Sequence, residues 1–259
     1  MRRLERLLRR LFRRGYVKRQ QAWLVHIDGQ PVKRLVLPDS HVASSMASNL
    51  RAFEDSPVVP DLLASFENEV WVEYIRGQGV RSQDPRLPGA LADLYASVCS
   101  RNPRYCDTRE LGLARELRKD LRFLQAVGVI EASSLDEIMA WLDATLPEKV
   151  WLGHDYSDPK AGNFLWDGDG ALRILDVESL VSDRLIGCGV AKALVSWMAP
   201  QRSVFLAELE RRSLPDFLSY LPFVELQFLA SWQKRSVLQR KNRLVASHLF
   251  DRFRGGESR

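Results

Sequence analysis

Apolar side chains first crowd into two short runs, AWLVHI at 22–27 and VKRLVL at 32–37, both with β-branched residues. Asp28-Gly29 lies between them, the dipeptide that tight hairpin turns favour, so the pair predicts a β-hairpin. Pro38-Asp39-Ser40 supplies a helix start, and 41–53 reads as a helix with Ser-rich faces. Two further strand-like runs follow near 61–66 and 70–75. Residues 76–83 (RGQGVRSQ) are polar and Gly-containing, the clearest boundary in the chain. Beyond it the apolar spacing becomes helical over 87–98, 110–126 and 135–146. Residues 150–152 read as a short buried strand. Runs at 164–166 and 172–175 flank the turn Asp167-Gly168-Asp169-Gly170 and predict a second hairpin. Residues 189–253 read as helices interrupted at Pro200, Pro215 and Pro222. No internal repeat appears. The order predicts an α+β chain: a basic segment over 1–19, a β-rich lobe over 20–76, a hinge over 77–83, and a larger helical lobe over 84–259 that contains one hairpin.

Composition narrows the class. The chain has 259 residues, 46% hydrophobic and 27% charged, which excludes wholesale disorder. No run of 18 apolar residues predicts a membrane-spanning helix, and no apolar core of a secretory signal follows the charged start. Cys99, Cys106 and Cys188 are odd in number and fit no metal knuckle, so they read as free thiols of a reducing, cytoplasmic compartment.

The net charge of +5 is unevenly placed. Residues 1–19 carry nine Lys or Arg against Glu5, leaving the rest of the chain acidic. Leu4, Leu7, Leu8, Leu11 and Phe12 fall on one helical stripe, with arginines on the other faces. Three readings stay open. Residues 1–14 could lie on an anionic membrane surface, leucines in the headgroup boundary and arginines on the lipid charge. They could equally pack on their own domain. A nucleic-acid arm is the third reading, and the lack of interleaved aromatics counts against it.

The densest polar cluster is GHDYSDPKAGN at 153–163, between two apolar strand-like runs. Asp158 and Asn163 are five apart with Lys160 between them, and Asp176 follows Asn163 by 13 residues, directly after the strand LRIL. Phosphoryl transfer from ATP explains such a grouping. The triphosphate needs Mg²⁺, which takes oxygen ligands from a few carboxylates and amides. Asn163 and Asp176 can supply those. A separate carboxylate must orient the attacking hydroxyl and accept its proton, which suits Asp158. A lysine beside that base, Lys160, can neutralise charge on the γ-phosphoryl. Catalysis of this kind is mostly positioning and electrostatics. His154-Asp155 suggests the competing chemistry of a metal-dependent phosphohydrolase, but His26, His41, His154 and His248 lie on widely separated elements. Asp167 and Asp169 read as a plain hairpin tip rather than a calcium loop.

Asp-Pro-Lys-Ala-Gly-Asn resembles the D-x-K-x-x-N catalytic loop of the protein-kinase-like superfamily, with Asp176-Val177-Glu178 where that family has its Asp-Phe-Gly metal site. The hairpin between the two motifs and the bilobal order match over roughly 20–250. Tyr156-Ser157-Asp158 in place of His-Arg-Asp, and Asp-Val-Glu-Ser in place of Asp-Phe-Gly, resemble the small-molecule branch: aminoglycoside and choline kinases and the lipopolysaccharide-core sugar kinases. The resemblance implies a strand lysine on the α- and β-phosphates. Lys33 is the candidate and Arg34 its rival, since one register step exchanges their faces. It implies an adenine-contacting hinge at Glu73-Tyr74-Ile75, and a structural acid near Asp183, although Gly189 stands where that acid was expected. Glu178 reads as an extra metal ligand or as a loop carboxylate. The helix 41–53 lacks the family's glutamate, and Gly15-Tyr16 is a poor substitute for its glycine-rich loop.

The implied activity is ATP- and Mg²⁺-dependent transfer to a hydroxyl. The basic start and the sugar-kinase resemblance together favour a lipopolysaccharide-core sugar such as heptose, at the inner face of a membrane. The alternatives are a soluble aminoglycoside- or choline-type kinase, an RNA-associated kinase, and a non-catalytic binding module of the same fold.

Overall fold

The computed structural model describes residues 21–239 and 247–254. The amphipathic reading of 1–19 and the Gly15-Tyr16 loop lie outside them. The described chain forms two compact units. One holds the residues up to Val80 together with Gly162–Leu180; the other holds Arg81–Ala161 and the residues from Val181 onward.

The first unit is built on an antiparallel sheet. Strands β1 (Gln21–Ile27), β2 (Gln30–Val36), β3 (Leu62–Phe66) and β4 (Glu69–Glu73) adopt the order β1-β2-β4-β3. Asp28 (φ 50°) and Gly29 (φ 78°) make the β1–β2 turn, both left-handed as a tight hairpin requires. Helix α1 (Ser40–Arg51) starts at Asp39, whose Oδ1 accepts from Val42 N at 2.9 Å. Ala47 and Leu50 of α1 are buried, as are Leu35, Val70 and Val72 of the sheet.

A second sheet joins β8 (Phe164–Trp166) and β9 (Leu172–Ile174) to the two-residue strand β5 (Gln78–Gly79), in the order β5-β8-β9. Residues 162–180, expected within the helical lobe, therefore pack with the N-terminal unit. Two hydrogen-bonded links account for this. β5, inside the expected hinge, pairs with β8, and Ile174 N donates to Val58 O at 3.0 Å.

The second unit carries the helices: α2 (Leu87–Cys99), α3 (Leu113–Ala126), α4 (Ala132–Thr145), α5 (Cys188–Val195), α6 (Arg202–Glu210) and α7 (Leu221–Leu238). A small sheet crosses it, β10 (Leu180–Leu185), β7 (Lys149–Tyr156) and β6 (Arg104–Asp107), with β7 central. β6 and β10 were not expected, being too short and polar to show a strand period. β7 is longer than the predicted 150–152 because it continues through the polar residues His154 and Asp155. Among the described residues no helix is long and apolar enough to cross a membrane, and all three cysteines are free.

Helix α7 is the centre of this unit, packing against α3 and α5. It carries one buried charge. Glu225, 1% exposed, accepts from Arg202 Nη1 at 2.9 Å and Nη2 at 2.7 Å, and pairs with Arg252 at 2.5 Å. One carboxylate thus ties the start of α6 and the C-terminal turn to α7. Removing it leaves two guanidinium groups facing each other without an anion. Glu225→Ala is expected to cost about 3 kcal/mol and to lower the thermal midpoint by roughly 10 °C. A melting curve that matches wild type would refute the assignment.

Candidate active site

In the first unit, three elements meet around Asp176. Beyond β9 the chain passes Leu175 and Asp176, then closes a 3₁₀ turn over Val177–Ser179. Leu175 N donates to Asn163 O at 2.8 Å, which fixes the two segments side by side. Asn163 Nδ2 donates to Asp176 Oδ2 at 3.2 Å, and Ser179 Oγ donates to the same oxygen at 2.9 Å. Lys33 reaches in from β2 and its Nζ donates to Leu175 O at 2.6 Å. Burial lowers the Lys33 pKa, while the Asp176 and Glu178 charges push it back up. Loss of hydration and the neighbouring Asp176 charge push Glu178 up to about 7, with Lys33 opposing. Two carboxylates and one ammonium are therefore held within mutual electrostatic reach.

Arg34 takes the other face of the sheet. Its guanidinium forks onto Glu69 and lies 5.5 Å from the Trp23 ring and 5.4 Å from the Trp71 ring. Trp23, Arg34 and Trp71 are direct cross-strand neighbours, so the pleat that sends Arg34 to the tryptophans sends Lys33 to Leu175. Of the expected hinge, Glu73 is largely committed. Its N–H donates to Asp61 O at 2.9 Å and its carboxylate accepts from Arg173 at 2.8 Å. Ile75 is buried, 8% exposed, and Tyr74 is exposed.

These donors suit a hard cation: a carboxylate and a carboxamide oxygen, with a second carboxylate two residues on. Among the described residues no three His, Cys, Asp or Glu side chains gather to hold a metal unaided. A magnesium ion at Asn163 and Asp176 would complete its shell with phosphate and water, as that ion commonly does.

The other candidate residues belong to the second unit. Strand β7 delivers Tyr156, Ser157 and Asp158 to the end of the sheet. Asp155 is fully buried and accepts from Gly189 N at 2.9 Å, in the first turn of α5. Tyr95 Oη donates to Tyr156 O at 3.1 Å. A Cβ on Gly189 would stand 2.0 Å from Tyr156 O and 2.5 Å from Tyr95 Oη, so only glycine lets helix and strand approach. The acid expected on the helix therefore stands on the strand, and the helix supplies the amide. Asp183 has no such role. Its side chain is exposed and pairs with Arg104 at 3.2 Å. His154 Nδ1 lies 3.2 Å from Arg101 O, a brace for the strand.

Asp158 lies between two lysines. Lys160 Nζ is 2.6 Å from Oδ2, and Lys192 from α5 contacts Oδ1. Burial pushes its pKa up, but hydrogen bonds and charge from both lysines outweigh this and hold it below the ordinary carboxylate range. Asp158 is thus kept ionised and oriented. Lys192 was missed in the sequence, although a lone cation inside the apolar stretch GVAKALVSW was a signal that it had a partner.

No protein-family model matches the chain, and no curated protein sequence matches it. Solved structures do. The aminoglycoside phosphotransferase APH(4)-Ia aligns over 93% of this chain and 92% of its own, at 15% identity and a TM-score of 0.62. Choline kinase LicA from Streptococcus pneumoniae aligns over 97% of both chains at 12% identity, TM-score 0.58. Macrolide 2'-phosphotransferase MphH from Brachybacterium faecium covers 93% and 94%, at 13% identity and 0.57. This is the protein-kinase-like fold of small-molecule phosphotransferases. Within the kinase-like fold, the Asp155–Gly189 contact is what seats the strand end that carries Asp158.

That contact has a pH signature. Burial pushes Asp155 up to about 7, against the hydrogen bonds it accepts. The unfolded carboxyl titrates near 4, so the folded state binds more protons between about pH 4 and 7. Stability from this group is highest at low pH and falls by about 1.4 kcal/mol per pH unit across that window. Asp155→Asn keeps an acceptor for Gly189 N–H and removes the titration. Between pH 5 and pH 8 the wild-type thermal midpoint should fall by roughly 5 °C more than that of the variant. Parallel pH dependence in the two proteins would contradict it.

Proposed function

We propose that the chain is an ATP- and Mg²⁺-dependent phosphotransferase that moves the γ-phosphoryl group onto a hydroxyl of a small molecule. The observation that carries the proposal is the Lys33–Asn163–Asp176 grouping, in which a strand lysine and two oxygen donors 13 residues apart are gathered within one unit. Lys33 would engage the α- and β-phosphates, and the backbone around Ile75 and the carbonyl of Glu73 the adenine. Asn163 and Asp176 would hold Mg²⁺, which when bound neutralises charge on the phosphate oxygens. Asp158 would orient the acceptor hydroxyl and take its proton, and Lys160 would stabilise charge on the transferred group. The acceptor oxygen bonds to the γ-phosphorus, the β–γ bridging bond breaks with its electron pair going to ADP, and the proton passes from Asp158 to solvent.

Solved relatives of the fold support nucleotide use. One APH(4)-Ia structure is a ternary complex with ADP and hygromycin B, and a spectinomycin phosphotransferase structure is an AMP-bound complex. For the acceptor, a lipopolysaccharide-core sugar hydroxyl such as that of heptose, met at the inner face of the membrane, is supported by the Arg-rich, leucine-striped sequence of residues 1–14. A soluble enzyme of the aminoglycoside or choline type is the second reading, favoured by the fold relatives. Flotation with anionic liposomes separates the two. Deleting residues 1–14 should abolish co-flotation if the membrane reading holds, and unchanged association would remove its basis.

For the activity itself, Mg²⁺-dependent turnover of ATP is expected in wild type. It should fall by at least about 10³-fold in Asp158→Ala and Asp176→Ala. Lys33→Met should raise KM for ATP more than it lowers kcat. Absence of turnover, together with no thermal stabilisation by Mg²⁺-ATP, would sink the enzyme and leave a binding module of the same fold.

A further inference from the structure

A cleft of about 480 Å³ opens beside Asp158, wholly within the second unit. That volume is the size of a small-molecule site. Its floor is one stripe of α7: Phe228, Trp232 and Arg235, at i, i+4 and i+7, face it together. Lys192 of α5 and Trp197 form part of its wall, and Asp158 stands at its edge. Phe228 and Trp232 are stacked, with ring centroids 6.2 Å apart and planes 12° apart, so they present a broad apolar surface.

The charge of this cleft is one-sided. Among the described residues, Lys160, Lys192 and Arg235 line it against the single carboxylate of Asp158. Both lysines are engaged with that carboxylate. Arg235 is not. Its Nε donates to Ser231 O at 3.3 Å, and among the described residues no carboxylate pairs with it. The contrast with its neighbour is direct: Lys234, turned to the other side of α7, pairs with Asp120 at 2.5 Å. An exposed guanidinium at the rim of an aromatic-floored cleft, with a net positive lining, is suited to a bidentate anion and repels a cation. Rings alone could attract an ammonium group, but here such a group would meet three like charges.

Resting on the phosphotransferase reading, we propose that this cleft takes the acceptor, and that the acceptor is an anionic hydroxy compound with a flat, weakly polar ring face. A sugar phosphate or a sugar acid has this chemistry. Arg235 would take the phosphate or carboxylate, the ring face would lie on Phe228 and Trp232, and a hydroxyl would reach Asp158.

The test is a titration of tryptophan fluorescence without nucleotide, since Trp197 and Trp232 line the cleft. The probes are glucose 6-phosphate, glucuronate, glucose, choline and hygromycin B, each with wild type and Arg235→Gln. Arg235 is exposed, so the variant is expected to fold; its melting curve checks this. At least one anion should bind ten-fold or more tighter than glucose, and Arg235→Gln should erase that advantage. The two anions separate a phosphate from a carboxylate source. Tighter binding of choline or hygromycin B, no preference for either anion, or an unchanged preference in Arg235→Gln would each overturn the proposal. The preferred anion should also accelerate Mg²⁺-dependent ADP release, with KM for that anion about ten-fold higher in Arg235→Gln and kcat little changed. An anion that binds yet leaves ADP release unchanged or slower overturns the acceptor assignment. The titrations contain no nucleotide, so they depend on the cleft alone, whereas the phosphotransferase reading depends on the Asp158 and Asp176 variants.

Discussion

The hydrogen bond from Gly189 N to the buried carboxylate of Asp155 is the constraint from which the second unit's chemistry follows. It joins the end of a strand to the first turn of a helix, and the glycine allows an approach that any Cβ would block. Each partner lies three residues before a charged side chain. Asp155 is followed by Asp158 and Gly189 by Lys192, so closing the first contact brings the second pair together. A carboxylate buried for this purpose is expensive to keep charged. The rise in its pKa is the measure of that cost, and the helix amide offsets part of it.

The electrostatics of the two units differ in kind. Around Asp176, burial and the charge of that residue push Glu178 up with Lys33 opposing, and two carboxylates facing one ammonium suit a divalent cation. Around Asp158 the lysines dominate and the carboxylate is held ionised. A carboxylate held below its usual range is a weak proton acceptor in the ground state. On the proposed reading such a group would take a proton late, after the phosphorus–oxygen bond has begun to form, as in phosphoryl transfer with a loose transition state.

Much of this was legible in the sequence, for identifiable reasons. The Asp28-Gly29 turn, the Asp39 cap and the helical spacing of 87–98 and 135–146 are local signals, and the elements formed at or near those positions. The spacing of Asp158, Lys160, Asn163 and Asp176 was visible because they lie close along the chain, and the structure brings Asn163 to Asp176 and Lys160 to Asp158. What stayed hidden depends on contacts distant along the chain. β6 and β10 are strands because β7 lies between them, not because of their own polar sequences. Residues 162–180 join the N-terminal unit through pairing with a two-residue strand that no periodicity could reveal. The inversion of acid and amide at Asp155 and Gly189 was equally invisible: the sequence displayed a missing acid, and only the packing shows where its replacement stands.

The side chains of α7 illustrate the same separation of fold from function. Its buried positions, among them Phe223, Leu226 and Leu229, are what any core helix needs, and they place the chain in a fold shared with relatives only 12–15% identical. Specificity cannot come from those positions, because they face the core. On the proposed reading it comes from the stripe that faces the cleft. Phe228, Trp232 and Arg235 occupy that stripe. Among the described residues no carboxylate pairs with Arg235 and its side chain is exposed, so it is a poor contributor to stability. On the proposed reading its rationale lies in what the cleft receives: a negatively charged ligand would supply the anion that the described residues do not.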